Sequence, residues 1–140
     1  MTTLYKTQAT ALAGRNGQVK TDDGLLSLDL AYPKEMGGTG AATNPEQLFA
    51  AGYSACFSNA ILHVAREAKV NLKHAPVTAE VGIGQNGNGG FALTVSLAVD
   101  LDLPQEQALE LTRTSHQVCP YSNAVRGNID VAVTVNGEAI

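Results

Sequence analysis

Basic patches, unbroken apolar runs and cysteines are all scarce in this sequence, and each scarcity excludes something. Nine basic residues are scattered along a chain that has thirteen acidic ones and a formal charge of -4. No basic stripe results, so nucleic acid is not an expected partner. No stretch is read as reaching the roughly 18 to 20 apolar residues of a membrane-spanning helix. The opening "MTTLYKTQATALA" has no basic segment leading into a hydrophobic run and does not read as a secretory signal. Together these absences predict a cytoplasmic protein with no membrane role. The glycine-rich stretches lack the Lys and Ser/Thr of a phosphate-binding loop and read as turns. Only two cysteines occur, Cys56 and Cys119. In a reducing compartment such a pair is expected to be reduced, metal-bound or catalytic rather than a permanent bridge.

What the sequence does contain is enough for one core. At 140 residues and 44% hydrophobic content, a single domain over residues 1–140, of α+β class, is expected. Residues 3 to 12 and 18 to 32 alternate in the strand period, with Leu26, Leu28, Leu30 and Tyr32 on one face. "GRNG" and "DDG" break them into about three antiparallel strands. The connection "PKEMGGTGAATN" leads to Asn44, Pro45 and Gln47, which suit the start of a helix running from Pro45 to about Lys69. Between Leu48 and Leu62 only Ser54, Ser58 and Asn59 are overtly polar, so this helix is apolar nearly all round and belongs at the centre of the fold. "VTAEVGIG" and "FALTVSLAVDLD" flank "QNGNGG" as a hairpin, with Phe91, Leu93, Val95, Leu97, Val99 and Leu101 on one face. Pro104 starts a helix ending near Val118, Pro120 opens a short helical turn closed by Gly127, and "NIDVAVTV" is a last strand. The predicted order is βββ, α, ββ, αα, β. A helix with no polar face needs cover on all sides, which one open sheet does not give. A second copy would give it, so a homodimer is expected.

Cys56 falls in the middle of the long helix, beyond the reach of the helix dipole. On the residues alone it reads as a buried core cysteine. To act as a nucleophile it needs a cation, because a thiol of ordinary pKa, about 8.5, is only a few per cent ionised at pH 7. Arg15 is the candidate, since a tight turn at Asn16 and Gly17 in "AGRNGQ" would aim its side chain away from the strands. Glu46 could hold that guanidinium in one bidentate orientation, although a first-turn carboxylate also fits as a dipole partner. In a continuous helix Glu46 lies roughly 15 Å along the axis from Cys56. It would then meet a cysteine only across an antiparallel helix pair in a dimer. Cys56, His63, His116 and Cys119 also leave open a tetrahedral zinc site, against which stands a spacing wider than that usual in structural sites. His63, His74 and His116 otherwise read as core-edge or surface histidines.

The segments "GRNG", "TNPEQLFAAGYSACF" and "VCPYSNAVRGN" strongly resemble the organic hydroperoxide resistance family, within the broader osmotically inducible protein C superfamily. The resemblance covers nearly the whole chain. It implies two antiparallel β-sheets wrapped around central helices in an intertwined homodimer, with active sites at the interface. It also implies that Cys56 is the peroxidatic cysteine, Cys119 the resolving cysteine, Arg15 the activator of the thiolate and Glu46 the carboxylate that orients Arg15. The implied activity is reduction of alkyl, aryl or fatty-acyl hydroperoxides to alcohols. Cys56 becomes a sulfenic acid, Cys119 condenses with it to a disulfide, and an external dithiol such as dihydrolipoamide on a lipoylated protein restores both thiols. No bound cofactor and no metal are implied. Phe49, Tyr53 and Phe57 would line the path of an organic tail. The "GGTG" loop, with Phe49 and Tyr53, would shape the entrance or serve only as hinge and packing. The non-enzymatic alternative is a redox sensor or small-ligand carrier that uses the same cysteine pair without turnover. Against it, the sequence shows no recognition helix, basic patch or extra domain through which a sensor would report.

Overall fold

Turn chemistry cuts the first third of the chain into short strands. In the computed structural model, which describes residues 1–140, β1 (Ala9–Leu12), β2 (Gln18–Thr21) and β3 (Ser27–Asp29) form an antiparallel sheet in that order. The strands are shorter than the alternation suggests because β2 is short. Its four residues between two turns pair only Ala9 to Leu12 on one side and Ser27 to Asp29 on the other. Leu30 is buried, whereas Leu12 is 65% exposed, Leu26 36% and Leu28 37%. This sheet carries apolar side chains that the single chain leaves largely uncovered.

The helix start agrees with its sequence signal. Asn44 is buried and its Oδ1 accepts the Gln47 amide hydrogen at 2.9 Å, with Pro45 as first helical residue. The helix, α1 (Pro45–Glu67), ends two residues before the expected Lys69. Lys69 adopts left-handed φ of 59°, and Val70 N–H closes onto the Ala65 carbonyl at 2.8 Å. The chain separates into two compact units, Met1–Leu48 and Phe49–Ile140, with the boundary inside α1.

In the second unit α1 buries Tyr53, Phe57, Ala60, Ile61, Val64 and Ala65, while Ala51, Ala55 and Asn59 stay exposed. By length and composition α1 is long and apolar enough to cross a membrane. That corrects the expectation that no segment is, because three polar residues do not offset the apolar average. Its buried aromatic face belongs to the protein core.

The second sheet has the order β4 (Val77–Gln85), β5 (Phe91–Val99), β6 (Ala132–Val135), β7 (Glu138–Ala139). β4 and β5 form the expected hairpin, closed by the Asn86 side chain, whose Oδ1 accepts the amide hydrogens of Asn88 and Gly90 at 2.9 and 3.1 Å. Phe91 is 67% exposed, so the inward face of β5 consists of Leu93, Val95, Leu97 and Val99. β6 pairs with β5 in parallel. The expectation of antiparallel strands throughout therefore does not hold for this sheet. The reason is the connection: α2 (Gln105–Val118) and α3 (Pro120–Val125) carry the chain back across, as a parallel pairing requires. β7, two residues after a turn at Asn136 and Gly137, was not expected. Tyr53, Phe57 and Ile61 of α1 join Val95, Leu97 and Val99 of β5, Val133 and Val135 of β6 and Ala108 of α2 in one core, which also includes Cys119.

Candidate active site

In the first unit the loop between β1 and β2 presents Arg15. Ala13 and Gly14 take left-handed φ of 59° and 55°, turning the chain sharply. Gly17 closes the loop where a Cβ would stand 1.5 Å from the Leu12 carbonyl oxygen, so only glycine fits. Arg15 then meets Glu46 through two bonds, Nη1 to Oε2 at 2.6 Å and Nη2 to Oε1 at 2.5 Å. The side chains are 20% and 14% exposed, and the Arg15 Cζ lies 6.0 Å from the Tyr32 ring centre. The hydrogen bonds to Glu46 push the guanidinium's titration upward, and those to Arg15 hold the carboxyl below its usual range. The ion pair expected from the sequence is therefore formed, in the bidentate geometry that fixes a guanidinium plane.

In the second unit the two cysteines come together. Cys119 sits between α2 and α3, in extended conformation, with its amide bonded to the Ser115 carbonyl at 2.9 Å and Pro120 opening α3. It is fully buried, Cys56 is half-buried, and both are free thiols. The Cys119 thiol is a close neighbour of that of Cys56. Burial is the main influence on Cys56 and pushes its thiol above the ordinary cysteine range; Cys119 adds to the rise, and a hydrogen bond from the Tyr121 amide opposes it.

Tyr121 is a residue the sequence reading missed. A signal was present, because Pro120 starts α3 and the amides of a first helical turn have no partner within the helix. The Tyr121 ring lies 5.6 Å from that of Tyr53 and 6.3 Å from that of Phe49. Gly52 makes room for it, since a Cβ there would come within 2.7 Å of the Tyr121 hydroxyl. Ser122 was also missed: it is fully buried and bonds both Tyr53 and His116.

Of the three aromatics expected along a substrate path, only Phe49 borders open space. It lines a cavity of about 430 Å³ with Ile83, Leu93, Val125 and Ile129, where Asn86 and Asn128 supply polar groups. Tyr53 and Phe57 are 0% exposed and stand in the core. The four candidate zinc ligands do not assemble. His63 lies beside Glu67 at 3.4 Å on the surface, His116 bonds Ser122, and nowhere do three Cys, His, Asp or Glu side chains converge.

Two sheets, a long apolar core helix and two apposed thiols define a cysteine-bearing α+β protein. The family model for OsmC-like proteins matches residues 38–134. The organic hydroperoxide resistance protein OhrB of Bacillus subtilis is 45% identical over 132 residues, covering 91% of this chain and 95% of that protein. The organic hydroperoxide resistance protein of Xanthomonas axonopodis pv. citri is 47% identical over 135 residues, 94% of each chain. A Vibrio cholerae protein assigned to organic hydroperoxide resistance, solved with captopril bound in one of its active sites, is 72% identical with a TM-score of 0.99. That match covers 100% of this chain and 97% of the other. The chain belongs to the OsmC-like family, in its organic hydroperoxide resistance group.

The Arg15–Glu46 pair has a pH signature. A carboxyl held low by its partner contributes stability above its unfolded pKa, about 4.3, and loses it as pH falls through the lower folded value. Urea denaturation is expected to find wild type more stable than Glu46→Gln by on the order of 1 kcal/mol at pH 7. The gap should close as the solution is acidified below pH of roughly 4. A gap unchanged at the acid end refutes the assignment.

Proposed function

We propose that this protein is a thiol-dependent peroxidase that reduces organic hydroperoxides to alcohols and acts in organic peroxide resistance. The observation that carries the reading is the apposition of its two cysteines, Cys56 half-buried and Cys119 fully buried behind it. That asymmetry suits a division of labour in which peroxide meets Cys56 first. The names of the close relatives support the same role.

The chemistry closes without a bound cofactor or metal. The Cys56 thiolate attacks the terminal oxygen of ROOH, the O–O bond breaks, and the alkoxide takes a proton and leaves as ROH. Cys56 is left as a sulfenic acid. The Cys119 sulfur then attacks Cys56, the S–O bond breaks, and the thiol proton leaves with the hydroxyl as water. An external dithiol of the dihydrolipoamide type, carried on a lipoylated protein, reduces the disulfide by exchange and ends as its own disulfide. Because burial favours the neutral thiol, the first step needs a cation, and Arg15 oriented by Glu46 is the proposed source. The apolar cavity beside Phe49 favours alkyl, aryl and fatty-acyl tails over hydrogen peroxide, which buries no hydrocarbon.

The working form we propose is a homodimer of one continuous domain, residues 1–140, with active sites at the interface. Support comes from uncovered apolar side chains: the leucines of the β1–β3 sheet, and Ala51 and Ala55 of α1. Relatives that align over more than nine-tenths of the chain support the single domain. The cytoplasm, which keeps thiols reduced, is the compartment this chemistry fits. Neither nucleic acid nor membrane is part of the reading.

Reduced protein given one equivalent of an alkyl hydroperoxide is expected to show, by peptide mass spectrometry, a Cys56 to Cys119 crosslink that forms faster than with hydrogen peroxide. Cys56→Ser should be inert, and Cys119→Ser should consume one equivalent and stop. Unchanged thiols in the wild type would overturn the proposal; consumption limited to one equivalent in excess dithiol would leave a sensor or carrier. Arg15→Gln is expected to slow the reaction about 100-fold at pH 7 and to move its pH–rate midpoint up by about two units. An unmoved midpoint takes Arg15 out of that role. Sedimentation at low micromolar concentration should find a dimer, and a monomer would remove the shared interface.

A further inference from the structure

The cysteine pair is one of two rungs between α1 and α3. Tyr53 precedes Cys56 by three residues on one face of α1, and Ser122 in α3 follows Cys119, the residue that caps that helix, by three. Cys56 meets Cys119 and Tyr53 meets Ser122, hydroxyl to hydroxyl, at 2.7 Å. The two pairings run in opposite directions and are in register. Tyr53, Ser122 and Cys119 are each 0% exposed.

From Ser122 the connection runs outward. Its Oγ lies 2.8 Å from His116 Nδ1, and His116 is half-buried with its ring 6.1 Å from that of Phe57. Burial, then the charge of Arg126, hold the imidazole below its usual titration range. With the ring hydrogen on Nε2, Nδ1 accepts from Ser122, whose oxygen accepts from Tyr53; with it on Nδ1, both bonds reverse together. Arg126 also donates to the His116 carbonyl at 2.6 Å, fixing the end of α2 from which the ring projects. All three side chains are thereby satisfied in a single hydrogen-bond direction.

We infer that Tyr53, Ser122 and His116 are positioning residues for the resolving step, holding Cys119 opposite Cys56 while Cys56 is a sulfenic acid. The inference rests on the peroxidase reading and goes beyond it. Cys119 lies at a junction outside both flanking helices, and Pro120 after it has no amide hydrogen to tie down the backbone. Between oxidation of Cys56 and formation of the disulfide, no covalent bond holds the two sulfurs together. The hydroxyl pair one turn away bridges that interval, because separating the helices there would strand the buried Tyr53 hydroxyl. The interval matters chemically. A sulfenic acid that waits for its partner meets a second peroxide and becomes a sulfinic acid, which simple thiols do not reverse.

The test separates the two sulfur steps by rapid quench and mass spectrometry of the full-length protein with an alkyl hydroperoxide. In Ser122→Ala the sulfenic acid is expected to form at the wild-type rate and the disulfide about tenfold more slowly, with more Cys56 sulfinic acid in excess peroxide. Tyr53→Phe keeps the ring and should slow disulfide formation to a similar extent, and it carries the test if Ser122→Ala does not fold. The double variant should be no slower than either single one, because both remove the same bond. General loosening of the core would instead slow both steps and give additive effects. Wild-type resolution and an unchanged sulfinic fraction in the variants would overturn the inference. A wild type that forms no disulfide would overturn the peroxidase reading on which it rests.

Discussion

Burial of the aromatic face of α1 is the constraint on which the second unit depends. Tyr53, Phe57 and Ile61 have no exposed surface, and each such side chain contributes roughly 1.5–3 kcal/mol when taken from water. Their cover comes from β5 and β6 on the sheet and from the α2–α3 region. That region is also the crossover that lets β6 lie parallel to β5. The same packing that completes the core therefore carries Cys119 to Cys56. The cysteine pair is a product of core formation, and no separate loop delivers the second thiol.

This economy has a chemical cost. A thiol placed among core side chains is pushed toward its neutral form, while the proposed reaction needs the thiolate. The Tyr121 amide opposes burial without overcoming it. The proposed remedy is a positive charge, and an arginine is suited to it because it stays charged even where water is scarce. Such a cation must itself be kept in place. The bidentate pair with Glu46, reached through a loop that only glycine can close at Gly17, holds the Arg15 guanidinium in one plane.

Much of this was legible in the residues, and the illegible remainder has physical causes. Asn44 and Pro45 announced the start of α1, and the Asn-Gly steps announced the β4–β5 hairpin, because caps and tight turns are local and carry their own residue requirements. The pairing of Arg15 with Glu46 followed from motif resemblance and charge. Alternation in a strand says which side faces inward but not which way its neighbour runs, so the parallel β6 was invisible. Tyr121 acts through its backbone amide, which no side-chain pattern announces. Tyr53 read as pocket lining because an aromatic beside a reactive cysteine suits either a wall or a core. Only the position of Ser122 decides that its hydroxyl points to a buried partner.

The two thiols differ in exposure, and in the proposed peroxidase that difference sets the order of the two sulfur steps. Were both open, peroxide could oxidise either, and a sulfenic acid at Cys119 would face a thiol no better placed than itself. With Cys119 at 0% exposure, any oxidant arriving from water meets Cys56 before it. The price of hiding Cys119 is that it cannot swing far to find its target, so the distance must already be right before oxidation begins. Packing alone tolerates shifts of a few tenths of an ångström at modest cost, whereas a buried hydroxyl pair loses its partner when the helices slide. A polar rung beside the thiol rung therefore supplies a sharper restraint than the surrounding apolar contacts. That is a physical reason for a serine rather than an alanine in the middle of this core.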